Sequence, residues 1–252
     1  MQYHFKIMLG LLFLLSYSAA YANDDVFKKA ANSADCDFSC YQKTGLLLST
    51  FNAYSLSLTV TEIIHRAYQK LGIDTKVQYV PGNRSLKFSN DGHADGELFR
   101  IQGMSKIYPN LLQIPVPLLE LETMAYARVE GIEIKGWSSL SPYRLGFLSG
   151  FKKAEQNTQG MQTFSAESMP ELFDLLARGR LDIVIESRIG GQMLSAEKKP
   201  FSITTLEPPI DTIKIYHYLH KQNKLLIPTL SAVLRQMTAS GEIDQIVQKM
   251  AE

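Results

Sequence analysis

LKFSNDGHADGELF, residues 86–99, and FDLLARGRLDIVIE, residues 173–186, share one pattern. In each, a short amphipathic run ends at a glycine (Gly92 and Gly179), and an aspartate three residues later opens an apolar run. Glycine just past a helical run is typical of a helix C-terminus, because it accepts positive φ without a Cβ clash. The unbroken apolar run is typical of a strand buried on both faces. The repeat predicts two similar α/β lobes, with a ligand cleft between them.

The flanking segments extend each unit into an α/β series. In the first series, a buried strand at 46–48 precedes a helix, and Thr59 with Glu62 predicts a capping box at the start of that helix. A second series begins at 144–148. The two aspartates, Asp95 and Asp182, are interpreted as structural acceptors in turns rather than as ligand contacts.

Prolines mark the expected breaks between strands later in each series. Pro115 and Pro117 are predicted to end an apolar strand, and Pro208-Pro209 is the clearest break after the second repeat unit.

The first residues predict export. Lys6 precedes an apolar stretch at 7–15, and an A-x-A cleavage site follows at 20–22. A membrane anchor is the alternative, but the apolar run is shorter than the ~20 residues that span a bilayer. Residues 1–22 are therefore predicted to be a signal peptide, which places the protein in the periplasm.

Charge excludes some partners. The chain has 26 Lys and Arg against 25 Asp and Glu, and removal of Lys6 with the signal peptide makes these numbers equal. A net charge near zero argues against nucleic acid and against an anionic membrane surface, since both attract a basic footprint.

Cys36 and Cys40 lie close together near the predicted mature N-terminus. In an oxidising compartment we expect a structural disulfide between them. A redox or metal pair is the alternative, but the C-x-x-x-C spacing matches neither the thioredoxin motif nor a zinc knuckle.

Several short motifs follow one another along the chain: Pro81-x-x-Arg84-x-Leu86, Gly92-x-x-Asp95-Gly96, Leu148-Ser149-Gly150, Leu176-x-x-Gly179-x-x-Asp182 and Tyr216-x-Tyr218-Leu219. Together they resemble the bacterial extracellular solute-binding proteins of family 3, which serve polar amino acid uptake and have the type 2 periplasmic binding fold. The resemblance implies two α/β lobes joined by two hinge crossings.

The predicted organisation follows from this resemblance. A signal peptide (1–22) and an N-terminal extension (23–44) precede the first lobe (45–125) and the second lobe (126–209), and residues 210–252 return to the first lobe.

Loops that follow the carboxyl ends of strands line the clefts of α/β proteins. By this rule the predicted ligand-binding residues are Phe51, Asn52, Tyr54, Arg100, Ser149, Gly150 and Glu186.

Each of these residues has an alternative structural interpretation. Phe51 could pack within its lobe, and Arg100 could be a solvated surface residue instead of a carboxylate ligand. The amides of Ser149 and Gly150 are expected to hold an anion if a helix starts there. The resemblance implies that Glu186 meets a ligand amino group, and the alternative is a salt bridge to Arg188 or Lys214.

One segment departs from the family pattern. Amino acid binders of this family carry a Thr-x-x-Arg segment whose arginine grips the α-carboxylate, and the corresponding stretch here is Ser105-Lys106-Ile107-Tyr108. Either Arg100 substitutes for that arginine, or the ligand lacks an α-carboxylate.

The expected function is capture of a small polar solute, with an amino acid or a related carboxylate among the candidates, for ABC-type uptake. An inner-membrane permease or receptor is the expected partner, and we expect a monomer. One alternative is a sensing module that docks on a membrane receptor, and another is a secreted dehydratase-like enzyme. We expect no cofactor or metal, because His217 and His220 are three apart on a predicted strand and point to opposite faces.

Overall fold

The structure is a computed structural model that describes residues 38–53, 55–129, 131–191 and 203–251. The predicted signal peptide, Cys36 and Tyr54 lie outside the described residues, so the signal peptide and the Cys36–Cys40 disulfide stay predictions. The strands are β1 (Leu46–Thr50), β2 (Thr75–Tyr79), β3 (Gly96–Ile101), β4 (Leu111–Ala127), β5 (Leu145–Leu148), β6 (Thr163–Ala166), β7 (Ile183–Ser187) and β8 (Thr204–His220). The helices are α1 (Phe38–Thr44), α2 (Ser55–Gln69), α3 (Gly82–Asn90), α4 (Lys152–Asn157), α5 (Met169–Ala177), α6 (Ile227–Ala239) and α7 (Glu242–Ala251). Short 3-10 helices lie at Met104–Lys106, Trp137–Leu140 and Lys221–Leu226.

The eight strands form one curled sheet in the order β2-β1-β3-β8-β4-β7-β5-β6. Three parallel strands lie at each end, β2-β1-β3 in the first lobe and β7-β5-β6 in the second. Between them run β4 and β8, which pair antiparallel along most of their length. These two strands connect the lobes, and the predicted two-lobed fold with two crossings is confirmed.

The repeated sequence motif forms the same structure in both lobes. Gly92 and Gly179 end α3 and α5 with φ of +80° and +68°. Asp95 Oδ2 then accepts the N–H of Leu47 at 2.8 Å, and Asp182 Oδ2 accepts the N–H of Arg144 at 2.8 Å. Each aspartate thus links the start of one strand to the start of its parallel neighbour, which is the structural role predicted for it.

The predicted strand breaks at the prolines are wrong. Pro115 and Pro117 lie inside β4, and Pro208-Pro209 lies inside β8. Among the described strands, β7 joins β4 only from Thr123 onward, so the earlier half of β4 pairs with β8 alone. Proline is tolerated where one edge of a strand has no ladder partner, because it has no N–H to donate.

Apolar helix faces cover the sheet. The stripe of α2 at Val60, Ile63, Ile64, Ala67 and Tyr68 is fully buried, and so is that of α5 at Leu172, Phe173 and Leu176. The C-terminal helices α6 and α7 pack on α2, which brings the end of the chain back to the first lobe. The boundaries of the predicted domains stay predictions.

The predicted capping box at Thr59 and Glu62 is wrong, because α2 starts four residues earlier, at Ser55. Thr59 instead donates to the carbonyl of Ser55 at 2.8 Å from within the helix. Within the described ranges, no helix is long and apolar enough to cross a membrane.

Candidate ligand-binding cleft

The cleft lies between the lobes, where the carboxyl ends of β1, β3, β5 and β7 meet. The lobes are in contact at its edge, where Gly82 at the start of α3 faces Gly150 after β5. A Cβ built on Gly82 would lie 2.2 Å from the carbonyl oxygen of Ser149 and 2.9 Å from Cα of Gly150. Only glycine at position 82 permits this approach, so the structure is that of a closed cleft.

Behind this contact is an inner cavity of about 50 Å³ lined by residues of both lobes. Its wall is mainly apolar and aromatic, with four polar or charged side chains, those of Arg100, Lys152, Glu186 and Ser187. The apolar and aromatic lining residues are Phe51, Ala53, Leu56, Phe99, Ile101, Leu121, Leu148, Phe151, Ile213 and Ile215. The two crossing strands supply Leu121 and Ile213, so the cavity borders the hinge.

Arg100 is a buried residue of this cavity, with 4% of its surface exposed. Its Nη2 lies 2.6 Å from Oε1 of Glu97, which is also fully buried, and its Nε donates to the same oxygen at 2.8 Å. The guanidinium also donates to the carbonyls of Gly82 and Gly150 at 3.0 and 3.2 Å, and it stacks 4.3 Å from the centroid of Phe51. Arg100 therefore bridges the lobes directly, and its charge is already paired.

The Glu97–Arg100 pair depends on an irregular strand. In a regular strand, residues three apart point to opposite faces. The register of β3 against β8 shifts between Glu97 and Arg100, and this irregularity puts both side chains on one face.

Burial raises the pKa of the Glu97 carboxyl, while Arg100 and the hydroxyls of Ser85 and Ser89 oppose that change. Ser85 Oγ donates at 2.8 Å and Ser89 Oγ at 3.1 Å. With Arg100 always protonated, these contacts hold Glu97 as a carboxylate.

Glu186, at the end of β7, is buried in a different environment, with 4% exposure. Its Oε1 accepts the N–H and the hydroxyl of Ser187, each at 2.8 Å. Burial raises the pKa of Glu186 to about 7, and the hydrogen bonds from Ser187 oppose the rise.

No described residue forms an ion pair with Glu186. Of the two partners weighed from the sequence, Arg188 pairs with Glu122 and Glu207, and Lys214 pairs with Glu120. The salt-bridge interpretation of Glu186 is therefore wrong for the described residues, and a buried carboxylate without a cation lines the cavity.

The expected anion site at Ser149 and Gly150 is occupied by the protein itself. The N–H of Gly150 donates to Oε1 of Glu155 at 2.9 Å, and the N–H of Ser149 donates to the carbonyl of Ala166 at 2.8 Å. Lys152 pairs with the same Glu155 at 2.6 Å.

An outer cavity of about 200 Å³ lies at the mouth of the cleft. Phe51 and Leu148 line both cavities, and Asn52, Ser149 and the exposed Glu167 line the outer one. The structure thus brings the predicted residues Phe51, Asn52, Arg100, Ser149, Gly150 and Glu186 together at one cleft. Whether they contact a ligand stays a prediction.

Sequence reasoning missed several residues of the cleft. Glu97, which holds Arg100, is the second residue of β3 and does not follow a strand end, so the loop rule passes over it. Phe151 directly follows Ser149-Gly150 and could have been found by the same rule. Ser105–Tyr108, at the position of the family's missing arginine, lines neither cavity, and Ser105 Oγ bonds the carbonyl of Leu111 at 2.6 Å.

Among the described residues, no group of three or more His, Cys, Asp or Glu side chains is placed to hold a metal ion. His217 is a core residue, whose Nε2 lies 3.0 Å from the hydroxyl of Tyr68 and whose Nδ1 lies 3.1 Å from the carbonyl of Leu98.

Comparison with known proteins places the fold. The chain matches no protein-family model. An uncharacterized protein of Shewanella oneidensis is 27% identical over 257 residues, covering 97% of this chain and 93% of its own.

Solved structures with low sequence identity superpose along most of the chain. EhuB in complex with hydroxyectoine has a TM-score of 0.72 at 12% identity, covering 85% of this chain and 91% of its own. AbpA from Streptococcus pneumoniae, an amino acid ABC transporter substrate-binding protein bound to L-arginine, has a TM-score of 0.69 at 14% identity, covering 84% and 97%. A histidine kinase sensor domain with similarity to periplasmic binding proteins has a TM-score of 0.68 at 12% identity, covering 82% and 95%. The chain has the type 2 periplasmic binding fold, as its sequence motifs predicted.

Proposed function

We propose that the protein captures a small solute between its two lobes and releases it unchanged. The observation that carries this proposal is Glu186, a carboxylate that is almost fully buried, has no cation partner among the described residues and lines a cavity between the lobes. A buried charge is costly without a partner, so the site is suited to a guest that supplies one.

The resemblance in sequence motifs and the shared fold support membership of the extracellular solute-binding proteins of family 3. The predicted export signal supports a periplasmic location, and the structural similarity to AbpA supports delivery of the solute to an ABC-type permease. We propose that the protein acts as a monomer and that the permease recognises the surface of its closed lobes.

Within the cleft, we propose that Glu186 binds the ligand directly and that Phe51 forms an aromatic wall. Asn52 and Ser149 contact the ligand where it extends into the outer cavity. We further propose that Tyr54, two residues after Asn52 in the sequence, contacts the ligand as well. Arg100 and Gly150 stabilise the closed form, because Arg100 bridges the lobes through hydrogen bonds to the carbonyls of Gly82 and Gly150.

A sensing role is the second candidate, because a histidine kinase sensor domain has the same fold. Both roles use the closed form, so ligand binding does not separate them. Crosslinking of the ligand-bound protein in membranes of its host separates them: recovery of a permease supports uptake, and recovery of a kinase or cyclase receptor supports sensing.

A thermal-shift screen of the purified protein against amino acids, amines, organic acids and sugars tests capture. A ligand at 100 times its dissociation constant stabilises the folded state by about 2.7 kcal/mol. NMR of the same mixtures should return each compound unchanged. The proposal is contradicted if no compound of the panel raises the thermal stability of the protein. It is also contradicted if any compound is steadily converted to a product, as by an enzyme of this fold.

A further inference from the structure

The charges buried around the inner cavity do not cancel. Arg100 is paired with Glu97 at 2.6 Å, and Lys152 is paired with Glu155 at 2.6 Å. Among the described residues, Glu186 accepts hydrogen bonds only from Ser187. Within that part of the chain, the inner cavity therefore has one buried carboxyl group without a cationic partner.

The groups on the wall that could hold a ligand carboxylate are already paired with carboxylates of the protein, and Lys152 is one of them through Glu155. The guanidinium of Arg100 is held by Glu97, and its other bonds go to the carbonyls of Gly82 and Gly150. The N–H of Gly150 is held by Glu155. A carboxylate entering this cavity would stay unpaired in a buried, mainly apolar site, which is unfavourable because a buried charge requires a partner.

The rest of the wall suits hydrocarbon. Phe51, Phe151, Leu121, Leu148 and Ile213 supply apolar surface from both lobes and from the hinge strands. The inner cavity of about 50 Å³ is a few times the ~10–15 Å³ that one water molecule requires. It therefore suits the amine end of a small ligand, and a longer hydrocarbon body would extend toward the outer cavity, which shares Phe51 and Leu148 with it.

We propose that the ligand is a small monocationic amine with an apolar body and no carboxylate, whose ammonium group binds Glu186. This inference rests on the proposed capture function and narrows its ligand class. The ammonium supplies the missing positive charge, and its hydrocarbon packs against the aromatic and aliphatic wall. A zwitterionic amino acid would satisfy Glu186 but would bring a second, unpaired carboxylate.

Matched compounds test this inference by isothermal titration calorimetry at pH 8, where the amines are protonated. The leucine series is 3-methylbutylamine, leucine and 4-methylpentanoate, which differ only in the two charged groups. The shorter series is isobutylamine, valine and 3-methylbutanoate, and the aromatic series is phenethylamine, phenylalanine and 3-phenylpropanoate. We expect one amine to bind, and its amino acid and its acid to bind at least about 100-fold more weakly.

The Glu186→Gln variant should bind that amine roughly 100-fold more weakly, because the buried partner of the ammonium is lost. Glu171→Gln is the matched control, since Glu171 is an exposed carboxylate on the second lobe outside both cavities. Its affinity should stay within about 3-fold of wild type, as expected of a surface charge.

An amino acid or acid that binds as tightly as its amine overturns the inference and leaves the capture function standing. Unchanged amine affinity in Glu186→Gln overturns the site assignment. If none of the three amines binds, the inference is overturned. The capture function is contradicted as well only if no compound of the wider thermal-shift panel stabilises the protein.

Discussion

Two buried glutamates give the cleft its electrostatic character. Glu97 is surrounded by Arg100, Ser85 and Ser89, so its charge is neutralised within the first lobe. Glu186 receives two hydrogen bonds from Ser187 and no ion pair from any described residue. A single buried charge of this kind makes the empty closed form less stable at neutral pH, and a cationic guest removes that cost.

The pH dependence of stability should show this effect. The pKa of Glu186 is raised from 4.5 to about 7 by burial, so the folded state holds a proton that the unfolded chain releases. Wild-type stability should therefore fall as pH rises from about 4.5 to 7, by on the order of 3 kcal/mol from this group. Urea denaturation of wild type and Glu186→Gln across this range measures the difference.

Other titrating groups affect both proteins alike. Burial lowers the pKa of His217 to about 4, so its contribution to stability is lost as pH falls below about 6.5. The charged or titratable groups around Glu186, namely Arg100, Lys152, Arg188 and Tyr126, are also common to both. Glu186→Gln should become the more stable of the two toward pH 8, and parallel stability curves would contradict the assigned pKa shift.

At the residue scale, the sequence predicted that Arg100 and Glu186 lie at the cleft. It did not predict that Arg100 is paired with Glu97 while Glu186 has no ion pair with any described residue. Both follow the rule that residues at strand ends line a cleft. The Glu97–Arg100 pair needs the shifted register of β3 against β8, and no local pattern in the sequence encodes that shift. Arg188 does not pair with Glu186 because it is held by Glu122 and Glu207 from the two hinge strands.

At the scale of elements, the buried faces of the helices could be predicted from the sequence. The full length of the hinge strands β4 and β8 could not. The buried stripes of α2 and α5 repeat every three to four residues, so they are encoded locally. β4 and β8 run through prolines because parts of each have only one neighbouring strand. That edge position is a property of the whole sheet, and a local proline signal therefore predicted breaks that do not exist.

The two aspartates of the repeat, Asp95 and Asp182, link strands in the same way but differ in burial, so their substitution should lower stability by different amounts. Asp95 is buried and accepts from Leu47 N–H and from Asn223, whereas Asp182 is partly exposed and pairs with Arg144. Asp95→Ala should lower the free energy of unfolding by about 1–3 kcal/mol, because a buried N–H loses its acceptor.

Asp182→Ala should cost about 1 kcal/mol or less, since water can replace the lost partners of an exposed carboxylate. Chemical denaturation of both variants measures this order, with Asp95→Asn as the conservative control that keeps one acceptor oxygen. A larger loss at Asp182 than at Asp95 would contradict the unequal burial of the two connections.

At the scale of the molecule, the sequence repeat predicted two similar lobes. The structure further shows that the two lobes are in direct contact across the cleft. The carbonyls of Gly82 and Gly150 share the guanidinium of Arg100, and Lys152 Nζ contacts Asn83 across the cleft. These contacts join residues far apart in sequence, so they follow only from the closed arrangement. Closure by glycine contact leaves room for a guest in the inner and outer cavities that lie behind and beside the contact.

Gly82→Ala should therefore hold the lobes apart. The new Cβ would meet the carbonyl of Ser149 at 2.2 Å, and Gly82 has no positive φ that would make alanine strained within its own lobe. Small-angle scattering should show wild type becoming more compact with the panel compound that stabilises it most, while Gly82→Ala stays extended. Affinity should fall at least about 10-fold, in proportion to the lost closed population. Arg84→Ala, an exposed position on the same helix, should close as wild type does. Equal compaction of Gly82→Ala and wild type would mean that the glycine contact does not govern closure.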